Sequence, residues 1–297
     1  MVIVELAGGL GNQMFQYAAG RYLSLKHQTD MYLDLSFLND RTPRADFVYR
    51  EYGLEIFQLN AQFVSPEASV ALRPSRRTIQ RQLYSLKRMF NSSLPLYLKE
   101  ADSGFDSRLF TAPSNVFLEG YWQSEEYFQE IIPAIRRDFT FVGEIDPGAR
   151  ELVHSLQGEH SVCLFVRRRE FVTMKKIHAH HGVCSEEYFT AAVKRMSQHV
   201  PNMQLFIFSD DIDWCRTMLH FDVTTQIVDH TYAGKHFGQY LRLMSFCRHF
   251  ILSNSSYCWW GAWLNNRPEK IVIAPSRWYK NPRMNMSHLF PNGWIRL

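Results

Sequence analysis

Apolar runs alternate with apolar residues at helical spacing along most of this chain. The opening stretch, VIVELAGGLGNQMFQYAAGRYLSLKH, predicts a strand from Val2 to Leu6, a glycine turn, and a helix whose apolar face includes Phe15 and Leu23. A second strand is predicted in DMYLDLSFL, and NVFLEGYWQSEEYFQEI predicts strand, loop and helix. The first half of the chain therefore begins as an α/β arrangement.

The second half repeats the strand–helix alternation more regularly. The predicted strands are SVCLFV, QLFIFS, TTQIVD, HFILSN and KIVIAP, and the helices between them are SEEYFTAAVKRMSQH, DIDWCRTML, GQYLRLMSFCR and YCWWGAWLN. Strands that alternate with helices form parallel sheets with right-handed crossovers. Turn residues at 146–148 mark a boundary. We expect an α/β protein of two Rossmann-like domains, 1–147 and 148–297, that face each other across a cleft.

Composition narrows the class of protein without naming a function. The chain has 297 residues, 46% of them hydrophobic, so it can build a large core. A net charge of +4 is weak evidence for nucleic-acid binding, and none is expected. The five cysteines include no CxxC pair, which favours buried free thiols. No apolar stretch approaches the ~20 residues of a membrane span. We expect a cytoplasmic protein.

The glycine turn AGGLGNQ is the first candidate for binding chemistry. Glycines let the backbone approach a ligand closely, and the start of the following helix offers free N–H groups. Gly9 and Gly11 imitate a dinucleotide-binding motif without matching it. A purely structural tight turn is the alternative interpretation.

Three arginines follow the apolar strand SVCLFV directly. Guanidinium groups are rarely buried without partners, so Arg167, Arg168 and Arg169 must lie on the surface or meet an anion. Arginine suits phosphate because its planar fork donates two parallel hydrogen bonds and keeps its charge. The alternative is a solvated loop in which an arginine pairs with Glu170.

Two further polar segments follow predicted strands. Asp210 and Asp211 could hold a metal or bind a base or ribose, but they also suit the N-terminal cap of the next helix. Asn254, Ser255 and Ser256 precede a helix and could form an anion site.

Two groups of rings have competing interpretations. The tryptophans of the last helix could stack on a base or sugar, although core packing is the commoner outcome: Trp259, Trp260 and Trp263. The histidines in KIHAHHG, at 178, 180 and 181, lack an acid or cysteine set at metal spacing, so we expect a polar loop there.

These segments together resemble one enzyme family. The stretches GGLGNQMFQYAAGRYL, GYWQSEEYF, HGVCSEEYF, IFSDDIDW, LMSFCRHFILSNSSYCWWGAWLN and KIVIAPSRWY are similar to the GDP-fucose-dependent galactoside α-1,2-fucosyltransferases of glycosyltransferase family 11. The family has bacterial members and animal blood-group H members. The animal members carry a membrane anchor and stem, so this chain resembles a bacterial one.

The resemblance implies a GT-B fold, an N-terminal acceptor domain and a C-terminal nucleotide-sugar domain. It implies inverting transfer of fucose from GDP-fucose to the 2-hydroxyl of a terminal galactose, with no required cofactor or metal. The motifs assign Arg167 and Arg168 to the catalytic arginine pair, with Glu170, Glu186 and Glu187 as candidate bases. Donor-binding residues would be Gly9, Gly11, Asn12, Gln13, Arg169, Asp210, Asp211, Asn254, Ser255 and Ser256. Another GDP-sugar donor or linkage, or an inactive carbohydrate-binding descendant, are the alternatives.

One motif departs from the family pattern. The family reads His-x-Arg-Arg-Gly-Asp-Tyr where this chain has Phe165, Val166, the arginine triplet, Glu170 and Phe171. Residues 165 and 167 share a strand face, so the missing histidine would neighbour Arg167. Either Arg169 supplies the missing positive charge, or the site is weakened or retuned toward another donor.

Residues 68–99 contain seven basic residues and no acidic one. Ile79, Leu83, Leu86 and Phe90 form an apolar stripe, and Arg76, Arg77, Arg81 and Arg88 surround it. The stripe either packs on the first domain or rests on anionic lipids at the inner face of the membrane, where a lipid-linked glycan acceptor would be presented.

Overall fold

The computed structural model describes residues 1–73, 78–101, 104–280 and 286–297, and describes no side chains at 78–82 and 85. Arg76 and Arg77, and the side chains of Ile79 and Arg81, lie outside the described residues. Contacts divide the chain into two compact units. Unit 1 comprises Met1–Pro43, Tyr49–Thr140 and Met284–Phe290, and unit 2 comprises Arg44–Val48, Phe141–Arg283 and Pro291–Leu297.

Unit 1 is built on a five-stranded parallel sheet. Its strands are β1 Val2–Glu5, β2 Met31–Asp34, β3 Gln62–Phe63, β4 Leu96–Lys99 and β5 Val116–Glu119. Its helices are α1 Leu10–His27, α2 Ser36–Asn39, α3 Pro66–Leu72, α4 Thr78–Phe90 and α5 Ile132–Asp138. The strand order is β3-β2-β1-β5-β4, and every pair is parallel. The direction of winding reverses between β1 and β5.

Unit 2 is built on a six-stranded parallel sheet. Its strands are β6 Ser161–Val166, β7 Gln204–Ser209, β8 Thr224–Ile227, β9 His249–Ile251, β10 Val272–Ala274 and β11 Ile295–Arg296. Its helices are α6 Arg150–Leu156, α7 Arg169–Thr173, α8 Lys175–His181, α9 Glu186–Ser197, α10 Ile212–Met218, α11 Gly238–Phe246 and α12 Ser256–Leu264. The order β8-β7-β6-β9-β10-β11 is that of the dinucleotide-binding Rossmann fold. The predicted α/β class with two Rossmann-like units is confirmed.

Helix α1 packs directly on the first sheet because its sequence allows a close approach. Phe15, Ala19 and Leu23 are buried on it. A Cβ on Gly20 would overlap the side chain of Val4 in β1, so a glycine is required where helix and strand meet.

The core of unit 2 forms around the apolar strand that precedes the arginines. All of β6 is buried, and Val162, Leu164 and Val166 pack against residues from α9 and β7. The five cysteines are buried and free, as the sequence predicts. Trp259, Trp260 and Trp263 are buried and contact one another, so core packing is confirmed for them.

Two predicted elements differ from those observed. KIHAHHG is the helix α8 and not a polar loop. His181 stacks on Phe171, and its ring also lies near Tyr279, so aromatic contacts from distant parts of the chain support this helix. The helix predicted after β5 is interrupted: two short 3-10 turns, Glu125–Tyr127 and Gln129–Ile131, precede α5.

No helix in the described part of the chain combines the length and apolar character of a membrane span.

Candidate active site

Polar loops gather at the carboxyl ends of three neighbouring strands in unit 2. Strands β9, β6 and β7 lie side by side, and Asn254, Arg167 and Asp210 follow them in that order. The winding of the sheet reverses between β6 and β9. In open parallel sheets, ligands bind outside the carboxyl ends of the strands at such a reversal. The topology therefore brings three segments that the sequence singled out to one edge.

Arg167 is held between two carboxylates. Its Nη1 donates to Asp210 Oδ2 at 2.7 Å, and its Nη2 donates to Glu170 Oε2 at 2.5 Å. The guanidinium also lies 5.3 Å from the ring centre of Phe171. Two of the five N–H groups of an arginine are used in this way, which fixes the fork and leaves the others for an anion.

Arg168 is fixed differently, by stacking and through its backbone. The guanidinium of Arg168 lies 3.8 Å from the ring centre of Trp214, and the backbone N–H of Arg168 donates to Asp210 Oδ1 at 2.8 Å. Its Nε is buried and has no hydrogen-bond acceptor among the described residues; Asp211 Oδ2 is 3.7 Å away. Buried donors almost always have a partner. A desolvated cation with an unused donor is what a phosphate site requires.

The two aspartates have separate roles. Burial raises the pKa of Asp210, and the nearby Arg167 acts in the opposite direction. Asp211 caps α10, since its Oδ1 accepts the N–H of Trp214 at 3.4 Å. The capping role predicted from the sequence is confirmed for Asp211, while Asp210 positions both arginines.

Asn254 and the two serines that follow it also have separate roles. Asn254 is buried, and its amide nitrogen donates to the carbonyls of His181 at 3.0 Å and Trp278 at 3.1 Å. Its side-chain donors therefore hold neighbouring loops together. Ser255 is the cap residue of α12 but makes no side-chain capping bond, and Ser255 and Ser256 are both half-buried at the start of that helix.

The two residues that depart most from the family motif differ in their exposure to solvent. Phe165 is buried at the end of β6, with its ring centre 5.3 Å from that of Tyr257. Arg169 is exposed and begins α7.

The glycine turn in unit 1 is tied together by its own polar side chains. Gly8 has a φ of 75°, and a Cβ there would lie 2.5 Å from the Asn12 amide, so this position requires glycine. Gly9 precedes α1 and faces open space, whereas Gly11 is buried. Asn12 Oδ1 accepts from Gln123 at 2.8 Å.

Gln13 is fully buried, and both the nitrogen and the oxygen of its side-chain amide are hydrogen-bonded. Nε2 donates to the carbonyls of Gly8 at 2.9 Å and Glu51 at 2.8 Å, and Oε1 accepts the N–H of Gly53 at 2.9 Å. It therefore positions the glycine turn.

The three glutamates considered as bases do not share one environment. Glu170 is ion-paired with Arg167. Glu187 is fully exposed, and a hydrogen bond with Ser185 lowers the pKa of its carboxyl. Glu186 lies beside Glu187 in the first turn of α9.

Sequence reasoning missed the aromatic partners of the arginine pair. Trp214 lies one helical turn beyond Asp210, and Phe171 lies one turn beyond Arg167. An aromatic residue at that spacing from a charged strand end is the signal that could have indicated them.

Among the described residues, no three His, Cys, Asp or Glu side chains come together as a metal site. Metal independence stays a prediction.

Similar proteins span this chain from end to end. An α-1,2-colitosyltransferase of Escherichia coli is 29% identical over 100% of this chain and 99% of its own length. The O-antigen biosynthesis glycosyltransferase WbnK of Escherichia coli is 28% identical over 98% of this chain and 99% of its own. Among solved structures, fucosyltransferase NodZ from Bradyrhizobium is 14% identical, with 92% of this chain and 94% of that one covered and a TM-score of 0.49. The model of glycosyl transferase family 11 matches residues 1–297, and the protein belongs to that family.

Proposed function

We propose that this glycosyltransferase moves L-fucose from GDP-fucose to the 2-hydroxyl of a terminal galactose in a glycan acceptor, with inversion. The observation that carries the proposal is the arginine pair at the switch point of the second sheet. Arg167 is held by two carboxylates, and Arg168 is half-buried and stacked on Trp214, with a buried Nε that has no hydrogen-bond acceptor among the described residues. A nucleoside diphosphate supplies acceptor oxygens for the guanidinium N–H groups that these carboxylates do not use.

The arginines act on the leaving group. As the bond between fucose C1 and the phosphate oxygen breaks, the electron pair remains on the β-phosphate of GDP. Fixed guanidinium groups stabilise this charge as it develops, without reorganising. The same charge stabilisation is available from a divalent cation in other enzymes, so we propose that the reaction needs no metal.

We propose further donor contacts from residues at the carboxyl edge of the second sheet. The first turn of α12, with the hydroxyl of Ser255 at its cap position, suits a second phosphate or ribose oxygen, and we keep Ser256 beside it as a donor-binding residue. Asp211 caps α10 with Oδ1, while its Oδ2 faces Arg168 and could also accept a ribose hydroxyl. We assign Asn254 and Gln13 to positioning these loops.

A second donor has a specific observation in its favour. One full-length relative carries the name colitosyltransferase. Colitose is L-fucose without its 3-hydroxyl, so the leaving group and its arginine site would be unchanged. Phe165, two residues before Arg167, stands where the family has a histidine and packs against Tyr257, and the loss of that polar side chain suits a sugar with one hydroxyl fewer.

The test is a donor screen on the purified chain. GDP-fucose, GDP-colitose and GDP-mannose are each incubated with β-galactosides, and GDP release is compared with that of the Arg167→Ala variant. Release above the variant with GDP-fucose supports the proposal. Release with GDP-colitose alone supports the second donor. No release with any donor, together with retained glycan binding, would favour a carbohydrate-binding descendant.

We further propose that the acceptor is presented at a membrane. The described side chains of the stripe on α4, Leu83, Leu86 and Phe90, are exposed, with Phe90 at 88%, and the neighbouring Met89 is 78% exposed. Lys87 beside them is exposed as well. Apolar side chains bordered by positive charge match the surface of an anionic bilayer. The chain would then work at the cytoplasmic face, on a lipid-linked glycan.

Vesicle co-sedimentation tests this contact. We expect binding to vesicles with anionic lipid at low salt, loss of binding in Met89→Ser/Phe90→Ser, and unchanged binding in the control Val142→Ser, which alters an exposed apolar residue of unit 2. Equal binding of the Met89/Phe90 variant would contradict it.

A further inference from the structure

Glu100 lies at the carboxyl edge of the sheet in unit 1. It directly follows β4, and its N–H extends the ladder by donating to the Glu119 carbonyl of β5 at 2.8 Å. Strand β5 in turn borders β1, where the winding of this sheet reverses. The carboxyl end of β5 borders a ligand-binding position by the same topological rule that applies to the second sheet, and Glu100, one strand further out, is hydrogen-bonded to the chain that follows β5.

The chain after β5 is shaped around this carboxylate. Glu100 Oε2 accepts the N–H of Tyr121 at 2.6 Å and of Trp122 at 2.9 Å. A Cβ on Gly120 would overlap Glu100, and Trp122 has a φ of 54°, which is costly for an aromatic residue. No described residue donates to Oε1. One oxygen is anchored and the other is available.

The surroundings of Glu100 suit a sugar. Tyr121, directly beside it, is 47% exposed and offers a ring edge or face at the sheet edge. The indole N–H of Trp122 is buried without an acceptor among the described residues. Its ring carbon Cε2, bonded to that nitrogen, would lie 3.1 Å from a Cβ on Gly120, the same position that Glu100 crowds. Aromatic surface, a carboxylate and an unused donor together are what hydroxyl-rich ligands require.

The electrostatics keep Glu100 ready to exchange a proton near neutral pH. Burial raises the pKa of its carboxyl to about 7, against the effect of the two backbone hydrogen bonds. Asp106 raises it further, and Arg108 holds Asp106 ionised by lowering its pKa through a hydrogen bond. Tyr121 and Tyr127 also face Glu100, and burial raises the pKa of both.

We propose that Glu100 is the general base of the transfer, and that the β4–β5 edge binds the acceptor sugar. The inference rests on the proposed function and names its acceptor side. The Glu100 carboxylate takes the proton of the acceptor hydroxyl while the oxygen lone pair forms the new bond to fucose C1. The bond from C1 to the phosphate oxygen breaks, and its electron pair leaves with GDP. Glu100 then returns the proton to water.

The first test replaces the base while preserving its hydrogen bonds. Glu100→Gln keeps an oxygen that accepts from Tyr121 and Trp122 but cannot take a proton. We expect kcat to fall about 100-fold or more, as for other lost general bases, with GDP binding and thermal midpoint unchanged. The control is Glu67→Gln, at an exposed glutamate in the first turn of α3, outside the β4–β5 edge, which should stay within about twofold of wild type.

The second test is the pH profile, which a purely structural residue would not shape. For the unmodified protein, kcat/KM should fall tenfold per pH unit below about pH 7, and this limb should disappear in Glu100→Gln. Activity of Glu100→Gln near the wild-type level, or a retained limb, would overturn the proposal for Glu100 alone. If Glu100→Gln does not fold, a wild-type profile without a group titrating between pH 6 and 8 overturns it. Absence of transfer from every GDP-sugar would overturn the proposed function as well.

Discussion

Arg167 shows how a single side chain is prepared for an anion. Asp210 and Glu170 fix two edges of its guanidinium, so little side-chain entropy remains to be lost when a diphosphate arrives. The pair with Asp210 joins residues that are distant in sequence and meet only because β6 and β7 are neighbours. The arginine cluster and its pairing with Glu170 could be predicted from the sequence, but the partner Asp210 could not.

Replacing Arg167 should remove transition-state stabilisation more than substrate binding. We expect Arg167→Ala to lower kcat by at least 100-fold, as for other preorganised donors, and Arg167→Lys to recover only a small part because lysine lacks the fork. Steady-state kinetics with the active donor measure this. Arg216→Ala, at an exposed arginine of the same unit, is the control. A kcat for Arg167→Ala within threefold of wild type would show that this residue does not contact the leaving group.

The departure from the family motif at Phe165 and Arg169 can be tested by restoring the family residues. If exposed Arg169 replaces the charge of the missing histidine, Arg169→Gly should lose most activity while Phe165 is retained. Phe165→His combined with Arg169→Gly should restore it, since the pair then matches the family pattern. GDP release by the three variants is the measurement. Full activity in Arg169→Gly would mean that Arg169 only faces solvent.

Among the elements, α1 depends on a buried amide at its start. Gln13 makes three hydrogen bonds that join α1, the glycine turn and the segment 51–53. We expect Gln13→Ala to destabilise the fold by about 2–4 kcal/mol, because buried backbone groups lose their partners. Urea denaturation followed by fluorescence measures the change. The exposed Gln198→Ala should change stability by less than about 0.5 kcal/mol, and an equally small effect at Gln13 would contradict this assignment.

Helix α8 should make stability depend on pH. Burial, with His180 and Arg167 nearby, lowers the pKa of His181 to about 4. The unfolded chain takes up this proton near pH 6.5, before the folded one does, so stability should fall by up to about 1.4 kcal/mol per pH unit between pH 6.5 and 4. Thermal midpoints of wild type and His181→Gln over this range measure it. A wild-type slope no steeper than that of the variant would refute the lowered pKa.

The elements also show where sequence patterns stop being informative. Strands β6, β7 and β9 were predicted because buried strands have long apolar runs. Helix α8 was not, because KIHAHHG has no apolar periodicity and owes its order to Phe171 and Tyr279. Glu100 was missed for a similar reason: its burial and its two hydrogen bonds come from the turn after β5.

At the scale of the whole molecule, two parallel sheets each present a reversal of winding with its own chemistry. Unit 2 has paired arginines at its reversal, and unit 1 has a glycine turn and Glu100 near its own. The two sheets could be predicted from the alternation of strands and helices. The placement of paired arginines at one sheet and a buried carboxylate at the other could not be predicted, because it depends on which loops become neighbours.

Metal independence is a prediction for the complete enzyme. If Arg167 and Arg168 stabilise the charge of the leaving GDP as proposed, activity in EDTA should equal activity in buffer, and manganese should add less than about twofold. Rates of GDP release under the three conditions measure this. Activity that disappears in EDTA and returns with manganese would require a cation in place of the arginine mechanism.

The most direct test of the central claim is the structure of the product. The purified protein is incubated with GDP-fucose and a β-galactoside, and the product is analysed by NMR. We expect an α-fucosyl residue attached through the 2-oxygen of galactose, and no such product with the Arg167→Ala variant. A product with another linkage or the opposite anomeric configuration, or no fucosylated product at all, would contradict it.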